Sequence, residues 1–378
     1  MDYTASPFLF KVKKVLRYVR LYGPSRTYTK VKSQLHMKKT EGFEGDTWVN
    51  PRGSDCGDVA IVGCGNFSFS TIAYYISKSS SGRVKYALDT DKAKSRSLVC
   101  EYQAYVATTD YELILNDSSI KIVYIASNHA SHAEYAIKAI MAGKAVHIEK
   151  PHAVREEQLD RLITAMKENP SAKVFLGFNR PKSKLFSLLM NKMDGQPGNS
   201  MLNWFVAGHE IEDNHWYFSE EEGGRILGNL CHWSDLCIHL VGMNNAFPCT
   251  VTPALSVGSK SNFSLSITFN DGSQAAITFS AKGHTFEGVR EYLNVHKGDL
   301  LASLQDFHKL STDIGENKNQ YASLFRDHGH KANVINSYER AVSSELAGES
   351  VEYVKGTGLL VIKIKDAVDS GKPVVCSL

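Results

Sequence analysis

Between Asp58 and about Phe178 the chain switches its hydrophobic period repeatedly, and no other feature constrains its fold as much. Short β-branched runs stand at residues 59–62, 84–88, 122–125, 146–148 and 174–178, with helical patterns near 67–77, 91–102, 131–142 and 156–167. A strand that is apolar at every position must be covered on both faces, and strands that alternate with helices pair in parallel. This region is expected to form an α/β, doubly wound parallel sheet. After residue 199 the runs at 201–207, 250–257, 263–269, 274–280 and 290–296 alternate instead, and Asp271-Gly272 marks a hairpin turn. A second, α+β domain with a largely antiparallel sheet is expected there. A length of 378 residues suits two domains, and 43% apolar content is enough for a sizeable core.

Charge is balanced in total and lopsided in distribution. The formal net charge of +3 argues against a dedicated nucleic-acid binder, and no run approaches the 18 apolar residues of a membrane span. Residues 1–40 nevertheless hold ten Lys or Arg against one acid, Asp2. Residues 8–22 read as a short helix with Leu9, Val12, Leu16 and Val19 on one face and Lys11, Lys13, Lys14, Arg17 and Arg20 elsewhere. Two readings of residues 8–39 stay open: peripheral docking on an anionic membrane surface, or an arm packed on its own domain or on a partner subunit. Residues 41–57, rich in glycine, read as a linker. Seven widely spaced cysteines with no C-x-x-C pair argue against a zinc ribbon or a disulfide framework, so no metal is expected and the compartment is read as reducing and cytoplasmic. No secretory signal pattern opens the chain.

The first strand runs directly into Gly63-Cys64-Gly65-Asn66-Phe67-Ser68. Gly63 would permit a tight turn and Gly65 a close approach of a pyrophosphate, while Ser68 takes the third, small position and the helix N-terminus offers free N–H groups to phosphate. Asp89 ends the second strand, where a carboxylate would bind an adenosine ribose and repel a 2′-phosphate, favouring NAD over NADP. A helix cap is the alternative for Asp89, and a methyltransferase could use the same two features.

Three further stretches settle the direction of the reading. They are Ser127-Asn128-His129-Ala130-Ser131-His132, Gly143-Lys144-Ala145-Val146-His147-Ile148-Glu149-Lys150-Pro151, and Leu176-Gly177-Phe178-Asn179-Arg180. With the glycine-rich loop upstream, the sequence resembles the Gfo/Idh/MocA family of NAD(P)-dependent oxidoreductases, which act mostly on sugars, sugar nucleotides and cyclitols. The resemblance covers about residues 58–376. It implies a Rossmann domain over 58–178, a substrate and oligomerisation domain over 179–378, and a separate arm and linker over 1–57. It also implies that Gly63, Gly65, Asn66, Phe67, Asp89, Ser127, Asn128, His132, Glu149 and Lys150 hold the cofactor, with Lys150 between nicotinamide and substrate. A lysine at the C-terminal end of a parallel strand lies where ligands bind, and partial burial would lower its pKa for proton transfer.

Gly223-Gly224 followed by Asn229, His232 and Asp235 resembles the family's second signature, a helix whose histidine takes the hydroxyl proton. Asp235, three residues on, could orient the ring or tie down the helix. Many family members carry an acid three or four residues before the histidine, where Gly228 and Asn229 stand here. His209-Glu210 and Asn214-His215-Trp216 are similar to the substrate-loop region of members from polysaccharide biosynthesis, and Trp216 could stack on a sugar or pack in the core. Asp213 stands where a zinc protease would need histidine, which excludes that reading. Lys150 and His232 are thus the expected catalytic pair, with Arg180, Trp216 and Asn229 at a sugar or nucleotide-sugar substrate. A homo-oligomer is expected. The rival readings are a non-catalytic dinucleotide-binding regulator of the same fold and an NAD-dependent glycosidase.

Overall fold

In the computed structural model, residues 7–79, 82–211, 215–254, 262–283, 286 and 288–378 are described. The first sheet contains β1 (Thr47–Val49), β2 (Val59–Val62), β3 (Val84–Leu88), β4 (Val106–Thr108), β5 (Ile122–Ile125), β6 (Ala145–Ile148) and β7 (Val174–Leu176), in the order β1-β4-β3-β2-β5-β6-β7. Every pair is parallel except β1 with β4. Strands β2 and β5 are buried at all four positions, the signature of a sheet covered on both faces. Strand order reverses between β2 and β5, so a crevice opens over their C-terminal ends.

The second sheet contains β8 (Met201–His209), β9 (Cys249–Ala254), β10 (Asn262–Thr268), β11 (Gln274–Gly283), β12 (Arg290–Lys297), β13 (Leu300–Gln305), β14 (Lys309–Ile314), β15 (Asn317–Ala322) and β16 (Val374–Cys376). Its order is β15-β14-β13-β12-β8-β11-β10-β9-β16, and only the β8–β11 pair is parallel. Strand β10 buries every second residue, so one face of the sheet packs against the helices Lys184–Met193 and Val351–Ser370 while the other stays open. The turn at Asp271-Gly272 joins β10 to β11 as expected.

The arm forms two helices, α1 (Phe8–Tyr22) and α2 (Pro24–His36), and packs on its own chain. Its Leu21 carbonyl accepts from the Arg326 N–H at 2.8 Å, and α2 lies on the helix that follows β2. The segment 41–57, expected as a linker, instead contributes β1 to the sheet edge. The run expected at 174–178 stops at Leu176, and residues 255–257 of the run 250–257 lie outside the described residues.

The helix Cys231–Val241 is fixed from below by Asp235, which is fully buried. Its Oδ1 accepts from the Tyr353 hydroxyl at 2.7 Å and from Thr357 Oγ1 at 3.1 Å, tying this helix to Val351–Ser370. Burial pushes the carboxyl pKa up to about 7. The folded state therefore holds this proton more tightly than the unfolded chain, and the stability it lends is complete below about pH 4 and lost as pH rises towards about 7. Asp235→Asn keeps an acceptor without the charge. Its unfolding free energy in urea should exceed that of the native chain by about 1–3 kcal/mol at about pH 8 and converge with it below about pH 4; equal stability at the higher pH would contradict this.

Candidate functional site

Gly63 leaves β2 with φ +84°, and a Cβ there would lie 2.5 Å from the Ala126 carbonyl oxygen, so both conformation and space demand glycine. Gly65 faces open space, with nothing within 4 Å of where its Cβ would be. The helix then begins in the wide π-helical turn Ser68–Ala73, and the Ser68 hydroxyl donates back to the Gly63 carbonyl. Asp89, at the end of β3, accepts from the Cys64 N–H at 2.6 Å and from the Asp91 N–H at 2.8 Å. Its carboxylate is thereby held against the glycine loop, and Asp91 caps the next helix.

Residues of the arm complete this loop. His36 Nε2 donates to the Cys64 carbonyl at 2.7 Å, Ser33 Oγ to Asn66 Oδ1 at 3.1 Å and Lys30 Nζ to Ser70 Oγ at 3.0 Å. The His36 ring stacks on Phe69 at 4.2 Å. Sequence reasoning left these residues outside the site. Their only signal was the helical recurrence of Arg26, Lys30 and Ser33 on one face.

Beyond β5, Ser127 Oγ meets Ser131 Oγ at 2.7 Å and Asn128 Nδ2 donates to Glu222 Oε1 at 2.6 Å. The His132 ring bridges the Pro151 and Ser127 carbonyls at 2.8 and 3.1 Å. At the end of β6, Glu149 is buried against Gly177, and the Lys150–Pro151 bond is cis. Lys150 Nζ donates to the Gly228 carbonyl at 2.7 Å, reaching from the first domain to the turn that begins the histidine helix. His232 lies one helical turn beyond Gly228 and feels the charge of Lys150. The Lys150 bond thus ends on the turn that leads into the helix of His232.

The lysine shift runs opposite to expectation, whereas the neutral imidazole was expected. Burial alone would lower the Lys150 pKa, but Tyr217, Cys231 and Glu149 around it outweigh burial and hold it above the ordinary lysine value. Burial, with Arg180 and Lys150 beside it, holds His232 well below the usual histidine range. The lysine is a fixed cation and the imidazole is neutral. His232 Nδ1 and Asn229 Oδ1 are buried without a hydrogen-bond partner among the described residues.

Arg180 is bonded within the protein. Its guanidinium is buried and donates to Glu291 at 2.8 and 3.2 Å, with Trp233 Nε1 on the same carboxylate at 2.9 Å. Asp235 bonds Tyr353 and Thr357, while His232 Nδ1 has no hydrogen-bond partner among the described residues. Trp216 is 46% exposed, with one edge against His129 at 5.0 Å, so it belongs to the rim and not the core. Asn214 lies outside the described residues.

Sequence reasoning also missed Tyr217. Its hydroxyl donates to the Gly228 carbonyl at 3.1 Å, sharing that acceptor with Lys150. A Cβ at residue 228 would lie 2.2 Å from the Tyr217 ring, so the phenol fills the space that a side chain there would take. The glycine at 228 was the legible signal.

Removing Arg180 would leave Glu291 buried without its main counter-charge. Arg180→Met should destabilise the protein by about 3–5 kcal/mol in urea unfolding. A loss below about 1 kcal/mol would show that the pair does not hold this domain together.

Residues 58–178 match the family GFO_IDH_MocA, described as an oxidoreductase family with an NAD-binding Rossmann fold. An inositol 2-dehydrogenase of Salmonella typhimurium is 30% identical over 132 residues, which cover 30% of this chain and 39% of that protein. The chain thus spans about two fifths of the length of the curated relatives it matches. Two solved structures share the fold over nearly the whole chain. GenD2 from gentamicin A biosynthesis, in complex with NAD, has a TM-score of 0.70 at 18% identity, covering 88% of this chain and 100% of its own. Levoglucosan dehydrogenase, in complex with NADH and L-sorbose, has a TM-score of 0.71 at 16% identity, covering 85% and 99%. Residues 58–178 thus match the NAD-binding Rossmann fold of the Gfo/Idh/MocA oxidoreductase family, on a chain whose two-domain fold is that of the solved structures.

Proposed function

We propose that this chain is an NAD-dependent oxidoreductase acting on a secondary hydroxyl or ketone of a sugar or nucleotide sugar. The observation that carries the reading is the Lys150 ammonium at the end of β6, bonded to Gly228 beside a neutral His232. The residues present fit a dinucleotide: an open approach at Gly65, free N–H groups at the helix start, and unpartnered polar atoms on Asn229 and His232. Gly63, Gly65, Asn66 and Phe67 would receive the diphosphate, Asp89 the ribose, and Ser127, Asn128, His132 and Glu149 would shape the nicotinamide end. The Asp89 carboxylate favours NAD over NADP. The nicotinamide, when bound, gives or takes the hydride.

Lys150 would hold the reacting oxygen and stabilise negative charge on it. His232 and Asn229 would orient the hydroxyl, and the Tyr217 hydroxyl stands beside Lys150 to exchange the proton where many relatives carry an acid. Trp216, exposed at the rim, would stack on a sugar face. Met201, Phe205 and Leu301 are exposed on the open face of the second sheet, the surface we assign to a homo-oligomer. The seven free cysteines suit a reducing, cytoplasmic compartment, and the basic arm suits peripheral contact with an anionic membrane face.

Titration with NAD+ followed by a screen of myo-inositol, levoglucosan and nucleotide sugars tests this reading. Micromolar to millimolar NAD+ binding with turnover of one class is expected, and no dinucleotide binding would end it. Binding without turnover would favour the regulator reading, to which Gly228 and Asn229 in place of an acid already point. On an active substrate, Lys150→Ala should lower kcat/KM at least about 100-fold while NAD+ binding persists, and Tyr217→Phe should lower kcat about 10- to 100-fold. Near-native turnover in either variant would remove that residue from the chemistry.

A further inference from the structure

Both arm helices present the wrong side to the protein. An amphipathic helix on a globular domain ordinarily buries its apolar stripe. Here α1 turns Lys14 inward and sets Phe10 and Arg17 against Phe286, with ring and guanidinium 5.7 and 5.5 Å away. Its Phe8, Leu9 and Leu16 are 76%, 71% and 64% exposed, with Val12 and Val15 exposed between them. The second helix buries Thr27, Thr29, Ser33 and His36, while Tyr28, Val31 and Leu35 are exposed. The bonds from Ser33 and His36 to the phosphate loop, and from Lys30 to the helix after it, fix this orientation. Two apolar stripes are left facing away from the body of the protein.

Charge decides what covers them. Lys13, Arg20 and Lys39 are exposed around the stripes, and no acid occurs between Asp2 and Glu41. A second copy seated face to face would bring two cationic rims together, whereas anionic headgroups complement them. We propose that the α1–α2 pair seats the protein on an anionic lipid bilayer, with Phe8, Leu9, Val12, Leu16, Tyr28 and Leu35 entering the interface. This rests on the peripheral-contact part of the reading above and assigns it a face. Because α2 also holds the phosphate loop, the dinucleotide site lies about one helix diameter, roughly 10 Å, from the lipid surface.

The test is flotation of the full chain with vesicles of phosphatidylcholine, alone or with phosphatidylserine at about 30 mol%. At least about tenfold stronger partitioning to the anionic vesicles is expected, falling about tenfold as salt rises from about 0.1 to 0.5 M. Leu9→Glu/Leu16→Glu, at exposed positions, should abolish flotation and leave thermal stability and NAD+ binding unchanged. Failure of the native chain to float, or flotation of the variant at the native level, overturns the proposal. So does concentration-dependent self-association that the same variant abolishes, because a second copy then covers the face. NAD+ titration of the same samples separates this outcome from the oxidoreductase reading, since loss of dinucleotide binding with flotation intact touches only the latter.

Discussion

The bond from the Lys150 ammonium to the Gly228 carbonyl joins the parallel sheet to the second domain at the point where ligands of such sheets bind. A charge in that position needs an acceptor, and the acceptor here is a backbone carbonyl at the start of the histidine helix. Much of the surrounding geometry follows. Residue 228 must be glycine because Tyr217 occupies its side-chain space, and Tyr217 is held in turn by His129, whose Nδ1 meets the Glu222 carbonyl at 2.9 Å. Asn128 fixes the Glu222 side chain, so the turn 216–222 is fastened to the end of β5. Helix, turn and strand end form one bonded unit across the crevice.

The field inside that unit pulls the titrating groups apart. Burial opposes the Lys150 charge but Tyr217, Cys231 and Glu149 outweigh it, and burial, reinforced by the charges of Arg180 and Lys150, keeps His232 neutral. A permanent cation beside a neutral imidazole divides the work between charge stabilisation and hydrogen bonding. Arg180, paired with Glu291, acts on this arrangement through its charge.

The arm belongs to the same site by another route. A phosphate loop held only by its own turn would depend on Gly63 and Ser68; here α2 adds His36 and Ser33 to the same loop and Lys30 to the helix that follows it. That contact is polar, and it leaves the apolar residues of α1 and α2 outside.

Local periodicity alone marked most of the first sheet: β2, β3, β5 and β6 are read from apolar runs because a doubly covered strand is largely apolar, with Lys85 and His147 the polar exceptions in them. The glycine loop, Asp89 and Lys150 were legible for a similar reason, since a tight turn or a strand end restricts the residue in its own chemistry. Strands β1, β4 and β15 were not, because three residues carry no period and Asn317–Ala322 is mostly exposed and polar. The partners of Arg180, the direction of the Lys150 shift, the role of Tyr217 and the outward turn of the arm were decided only by tertiary structure. Each depends on which distant charge or ring arrives within bonding distance, and sequence spacing carries no such information.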